Sequence, residues 1–333
     1  MPELTGSVAE TFAEGVRERE DAWLAESAVR SYETAGRAHP EAESALRTPF
    51  QRDRDRIVHS KAFRRLKHKT QVFIDPRGDH LRTRLTHTLE TAGISRAVAR
   101  ALRLNEDLTE AIALGHDLGH APFGHTGEEA LDGIVAERFG RRFRHNEQSI
   151  RVVELLERDG RGLNLTAEVR DGILHHTGEG EPATLEGKIV RVVDRVAYIN
   201  HDIDDAVRAG VLRHAELPRE ELEVLGERGS QRIDTLVGDL VEHSAVAGDI
   251  VQGEEVGRAM LDLRAFMFEH VYLGAVTFEQ RETAVSTIRR IFDHYVEHPE
   301  ELPDDRPGDV PQRVTDYVAG MTDRFALGFG AGR

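Results

Sequence analysis

Three stretches of the chain put ionisable side chains where helical spacing would otherwise place core residues. After Arg84, the positions His87, Thr91, Ile94, Val98 and Ala101 recur at three- and four-residue intervals, so His87 shares a face with aliphatic residues. Leu108, Ile112 and His116 are spaced by four, which turns His116 inward in the same way. In residues 187–205, Ile189, Val192, Val196, Ile199 and Ile203 form an apolar stripe, while Asp194, Tyr198 and Asp202 form a second stripe on the same helix. An aspartate in so apolar a stretch needs a partner, because a lone buried carboxylate is costly. One inward histidine by itself reads as a satisfied core residue. Two of them, with Asp117 adjacent and Asp194 on a later helix, turn the reading toward a divalent metal. Imidazole and carboxylate donors without thiolate suit Mn, Fe, Co, Ni, Zn or Mg. Spacing leaves the ligand set open: neighbouring helical residues diverge by about 100°, so His116 and Asp117 are not an obvious chelate. His116 and His120, four apart, are the pair that spacing alone would choose.

The elements that must position these groups are helices. Apolar residues at helical spacing, with charges between them, run through 7–33, 86–103, 106–118, 147–158, 186–209, 219–242, 254–272 and 282–295. No run of alternating β-branched residues predicts a sheet of any size. Residues 177–184 and 298–312, rich in Gly, Pro and Glu, read as loops. The expected architecture is all-α: an N-terminal helical segment (1–46), a core (47–215) and a C-terminal helical region (216–333), packed as one continuous domain.

Composition narrows the chemistry further. Of 333 residues, 39% are hydrophobic and 31% charged, which supplies a core and argues against a disordered chain. The absence of cysteine excludes disulfide scaffolds, thiolate catalysis and Cys-ligated zinc. The start, MPELTGSVAE, lacks the pattern of a signal peptide, and no run approaches the ~18 apolar residues of a membrane span. A cytoplasmic protein without a membrane role is expected. The net charge is −16, yet Gln51–Arg103 holds 14 Lys or Arg against 5 Asp or Glu, leaving −25 for the rest. A basic segment inside an acidic chain predicts a local polyanion site. Eight of the 17 histidines fall between positions 59 and 145.

The blocks RDRDRIVHSKAFRRLKHKTQVF (52–73), RTRLTHTLE (82–90), HDLGHAPFGHTGEEALD (116–132), FRHNEQS (143–149) and VVDRVAYINHDIDD (192–205) together resemble the dGTPase-like branch of the HD-domain phosphohydrolases. LRAFMFEHVY (263–272) is similar to that family's C-terminal helical region, so the likeness spans roughly 47–275. The resemblance implies an HD-domain helical fold and one divalent ion, Mn or Mg favoured for activity, on His87, His116, Asp117 and Asp194. It implies hydrolysis of dGTP, or of a broader range of dNTPs, to deoxynucleoside and inorganic triphosphate. His125 then protonates the departing 5′-oxygen, Glu128 orients it, and His120 belongs to the pocket. Arg84 and His145 are placed beside phosphate, Gln71 beside the sugar, and Tyr198 and Asp202 around the deoxyribose. A tyrosine under C2′ leaves no room for a ribose hydroxyl. Lys61, Arg64, Arg65, Lys67 and Lys69 are open to the substrate, a regulatory nucleotide, single-stranded nucleic acid or the interface of a homo-oligomer. His175 and His176 read as structural or exposed, and Met260, Leu263 and Met267 as core. Two rival readings use the same residues: another HD phosphohydrolase, such as a 5′-nucleotidase or phosphodiesterase, or a nucleotide-sensing or single-stranded nucleic-acid-binding protein.

Overall fold

The computed structural model describes residues 6–72, 81–272, 275–302 and 307–329, and no strand occurs among them. In chain order the helical segments are α1 (Gly6–Trp23), α2 (Pro49–Val58), α3 (Lys61–Arg65), α4 (Arg84–Ala101), α5 (Glu106–Gly115), α6 (Gly124–Phe139), α7 (His145–Arg151), the short turn α8 (Glu157–Gly160), α9 (Ala167–His175), α10 (Leu185–Arg208), α11 (Arg219–Leu225), α12 (Gly229–Ala247), α13 (Glu254–Met267), α14 (Ala275–Glu297), α15 (Val310–Ala319) and α16 (Asp323–Leu327). None of them is long and apolar enough to cross a membrane.

The most enclosed element is α5. Asn105 caps it by accepting the Leu108 N–H, and Glu106 and Asp107 complement the positive end of its dipole. Leu108, Ala111, Ile112 and Ala113 are buried, and on this helix Glu106, Asp107 and Glu110 keep partial contact with solvent. It packs against α2, α4, α9 and α10. The 24-residue α10 is capped by Thr184 and joins this core to a second one formed with α11, α12 and α13. A third core binds α6 to α14 and α15.

Several helix boundaries differ from the periodicity. The first helix stops at Trp23, and only a single turn (Ser31–Glu33) interrupts the irregular backbone before Pro49. The stretch 147–158 is not one helix. After α7 the backbone widens into a π turn (Val152–Leu156), then breaks where Arg158 and Asp159 adopt φ of 53° and 57°. Gly226, at φ 108°, divides 219–242 into α11 and α12. Within 298–312, α15 already begins at Val310, where Asp309 caps it by accepting the Gln312 N–H.

Candidate active site

The helix α5 ends one residue before His116, and that ending brings His116 and Asp117 together. His116 is the cap residue, and the chain turns at once, with the His120 N–H donating to the Asp117 carbonyl at 3.1 Å. The 100° divergence of neighbours on a helix no longer applies, and His116 Nε2 lies 3.4 Å from Asp117 Oδ1. From α10, Asp194 Oδ1 stands 3.6 Å from His116 Nε2 and 3.0 Å from His87 Nε2 of α4. His87, His116 and Asp117 are buried, and Asp194 is nearly so.

These residues fit a divalent cation. His116 Nδ1 is 2.6 Å from the Ala113 carbonyl, which only accepts, so Nδ1 carries the proton and Nε2 presents a lone pair. That lone pair is buried without a hydrogen-bond partner and faces two carboxylates, the arrangement of a metal-ligating imidazole fixed by its outer hydrogen bond. Burial pushes the Asp117 and Asp194 carboxyls up, but the surrounding histidines, with Arg84 beside Asp117, outweigh it and hold both well below the usual range. Both are therefore anionic at neutral pH, as cation ligands must be.

Arg84, the first residue of α4, is buried against this cluster. Its Nη1 donates to Asp117 Oδ2 at 2.6 Å, while Nε and Nη2 have no partner. Beside it the chain enters α6 through left-handed Phe123 (φ 65°) and Gly124 (φ 61°). A Cβ at Gly124 would meet the Gln71 carbonyl at 2.8 Å, so only glycine lets the His125 turn close on Gln71. Gln71 itself is buried with its Oε1 unpartnered.

A second cluster adjoins the first. Glu128 accepts from His145 Nδ1 at 2.8 Å and from the His145 backbone N–H at 2.9 Å. His125 Nδ1 is 4.0 Å from Glu128, and so the carboxylate's hydrogen bond goes to His145 rather than to His125, which stands half-exposed. The reason is local: His145 opens α7 directly opposite Glu128, whereas His125 lies a turn earlier on α6 itself. His120 stacks on His145 with ring centres 4.3 Å apart. His145 Nε2 reaches His176 Nε2 at 3.1 Å, and His176 Nδ1 donates to the Ile173 carbonyl at 2.8 Å. With its proton on Nδ1, His176 accepts, so His145 donates from both ring nitrogens and is an imidazolium. Burial alone would lower its pKa, but the Glu128 charge raises it above the ordinary histidine value. Burial pushes His176 down to about 3, and for His125, although it is half-exposed, partial burial together with the Arg84 charge lowers the ring to about 4.

Glu128 is held at about 2, because His145 outweighs the effect of burial. A depressed carboxyl contributes stability that is complete above its unfolded value near 4.5 and disappears as pH falls through about 2. Urea unfolding should show wild type more stable than Glu128→Gln by about 3 kcal/mol at pH 6, the worth of this shift, with the gap closing below pH 4.5. A gap unchanged down to pH 3 would contradict the assignment.

On α10, Tyr198 OH accepts from Arg264 Nε at 2.5 Å, and Asp202 accepts from the Tyr272 hydroxyl. Burial pushes the Asp202 carboxyl up to about 7, and its Oδ1 has no partner. Met260, Leu263 and Met267 fill the core beneath.

Sequence reasoning passed over His176, Arg264 and Tyr272. His176 had a readable signal: Val169, Gly172 and Ile173 precede it at seven, four and three residues, and all are buried. His175 takes the other face and pairs with Asp171 at 2.9 Å. Arg264 and Tyr272 had none, since their partners lie about 70 residues away.

Residues 84–199 match the HD domain and 250–330 the phosphohydrolase-associated domain. The chain is 53% identical over 309 residues to a deoxyguanosinetriphosphate triphosphohydrolase-like protein of Caldanaerobacter subterraneus subsp. tengcongensis, covering 91% of this chain and 90% of that one. A protein of the same description from Desulfatibacillum aliphaticivorans is 47% identical (95% and 96% covered), and one from Clostridium tetani 46% (90% and 89%). The chain belongs to the HD-domain phosphohydrolases, among the deoxyguanosinetriphosphate triphosphohydrolase-like proteins.

Proposed function

We propose that the protein hydrolyses deoxynucleoside triphosphates, dGTP or a broader set, to deoxynucleoside and inorganic triphosphate, using one divalent ion held by His87, His116, Asp117 and Asp194. The observation that carries this reading is Arg84: a buried guanidinium with two unpartnered nitrogens, tied through Asp117 to the cluster. A buried cation of this kind calls for an anion, and its planar fork matches phosphate oxygens. When bound, Mn or Mg at this cluster would polarise the α-phosphate and acidify a water.

The remaining steps belong to side chains of the chain. The His145 imidazolium, locked between Glu128 and His176, supplies a fixed positive charge to the phosphates, and His120 stacks against it. His125 holds the proton destined for the 5′-oxygen. In the free protein it is neutral near pH 7, but an adjacent polyanion favours the charged ring, so substrate raises its pKa into the working range. Tyr198, anchored by Arg264, packs under C2′ and excludes a ribose hydroxyl; Asp202 and Gln71 offer unpartnered oxygens to the sugar.

The test pairs product analysis with His125→Ala. Wild type with Mn or Mg should turn each dNTP, and not the NTPs, into deoxynucleoside and triphosphate on anion exchange. The variant should lose about 10²–10⁴ in kcat, the usual worth of a general acid, with KM little changed. Near-normal turnover would remove His125 from the mechanism.

A further inference from the structure

Gln71 and His125 lie on two stretches of backbone that meet at Gly124, where the Gln71 carbonyl leaves no room for a Cβ. Phe123, two residues before His125, is held in the left-handed region (φ 65°) although it carries a side chain. Such a conformation persists only where the surroundings impose it. Its ring is buried in the core that α6 shares with α14 and α15. Its backbone is held from the far end of the chain. Asp323, the first residue of α16, is buried, and its Oδ1 accepts the Phe123 N–H at 2.9 Å while Oδ2 accepts the Thr70 N–H at 2.8 Å.

One carboxylate thus bridges the residue before Gln71 and the entry to the His125 helix, from 253 and 200 positions away in sequence. Hydrogen bonds to an ionised acceptor are the strong kind, and the two oxygens of one carboxylate keep a fixed spacing, so the two amides are fixed relative to each other. Asp323 is not needed to cap its own helix, because Thr322 accepts the Phe325 N–H at 3.3 Å. A second tie runs beside it: buried Lys69 donates from Nζ to the Ala319 carbonyl at the end of α15 (2.8 Å) and to the His120 carbonyl (2.5 Å). The C-terminal helices therefore grip both stretches through main-chain groups, and Asp323 is the group that spans them.

We propose that Asp323 is a positioning residue for the reaction: by holding Phe123 and Thr70 together it sets His125 against the 5′-oxygen and Gln71 against the sugar. The catalytic consequence rests on the dNTP reading given above, whereas the bridge between the two stretches does not.

Steady-state dNTP turnover with Mn, paired with amide hydrogen exchange of the metal-free protein read by mass spectrometry, tests it. Asp323→Ala should lose about 10²-fold in kcat, the cost of a misplacement near 1 Å, and KM should rise as Gln71 moves with Thr70. Mn affinity should be unchanged, since Asp323 touches none of the proposed ligands. In a His125→Ala background the same substitution should lower kcat by no more than about twofold, because the group it misplaces is already gone. Peptides containing Thr70 and Phe123 should exchange faster in Asp323→Ala, and those of α5 and α10 should not. Asp323→Asn keeps one accepting oxygen and should recover part of both turnover and protection, and it carries the test if Asp323→Ala fails to fold. Equal fractional losses with and without His125, or unaltered exchange at both peptides, would overturn the proposal. Faster exchange in a protein whose wild type makes no triphosphate would sustain the bridge and reject the reaction. Wild-type turnover left intact in Asp323→Ala would do the reverse.

Discussion

Replacing His116 with alanine is expected to lower dNTP turnover at saturating Mn by about 10³-fold or more, several kcal/mol of transition-state stabilisation, while leaving the helical circular-dichroism spectrum intact. The imidazole contributes the lone pair that faces Asp117 and Asp194, and no other described group replaces it at that position. Its loss leaves the Asp117 and Asp194 carboxylates without the imidazole donor that faces both. Mn affinity, measured by titration, should therefore fall along with kcat. The loss should also be non-additive: His116→Ala/Asp194→Ala should be no slower than the weaker single variant, because residues acting as a unit fail together. A variant that binds Mn normally and retains turnover would remove His116 from the centre.

Arg84→Ala should have the second-largest effect, and it should be felt in both activity and stability. The side chain is almost completely buried and gives Asp117 a 2.6 Å hydrogen bond. Removing one member of a buried pair strands the other, at a cost of about 3–5 kcal/mol. Metal-free Arg84→Ala should therefore melt well below wild type, and Mn should recover part of the difference by neutralising Asp117. Activity should drop by about 10²–10³ in kcat/KM, since two charged hydrogen bonds to phosphate are lost with the unpartnered Nε and Nη2. Arg84→Lys should rescue stability more than activity. An ammonium is a point charge that can still face Asp117, but it cannot present the fork that reaches both carboxylate and phosphate. Equal rescue of both would show that charge alone is what the site needs.

Helical periodicity makes His87 and His116 legible, because each continues an apolar stripe and so points inward, and it makes Asp194 legible as a carboxylate on a largely apolar helix that needs a partner. It does not reach Asp117, whose approach to His116 depends on where α5 stops and how the chain turns afterwards. Resemblance to a family supplied that residue, and also His125, Glu128 and His145. The partner of Glu128 was not legible: His125 is nearer in sequence, but the start of α7 brings His145 closer in space. His176 was obscured by its neighbour, since a His-His pair reads as two equivalent residues until Asp171 claims one of them. The all-α class follows from composition and spacing, whereas the π turn and left-handed residues at 152–159 follow from packing and have no local signature.

The most direct measurement is a turnover of dGTP in ¹⁸O-labelled water with Mn present and products separated by anion exchange and weighed. Unlabelled deoxyguanosine and triphosphate bearing one ¹⁸O are expected, because water attacks the α-phosphorus and the 5′-oxygen leaves with the nucleoside. Deoxynucleoside monophosphate with pyrophosphate, or label in the nucleoside, would contradict the proposed chemistry at this centre.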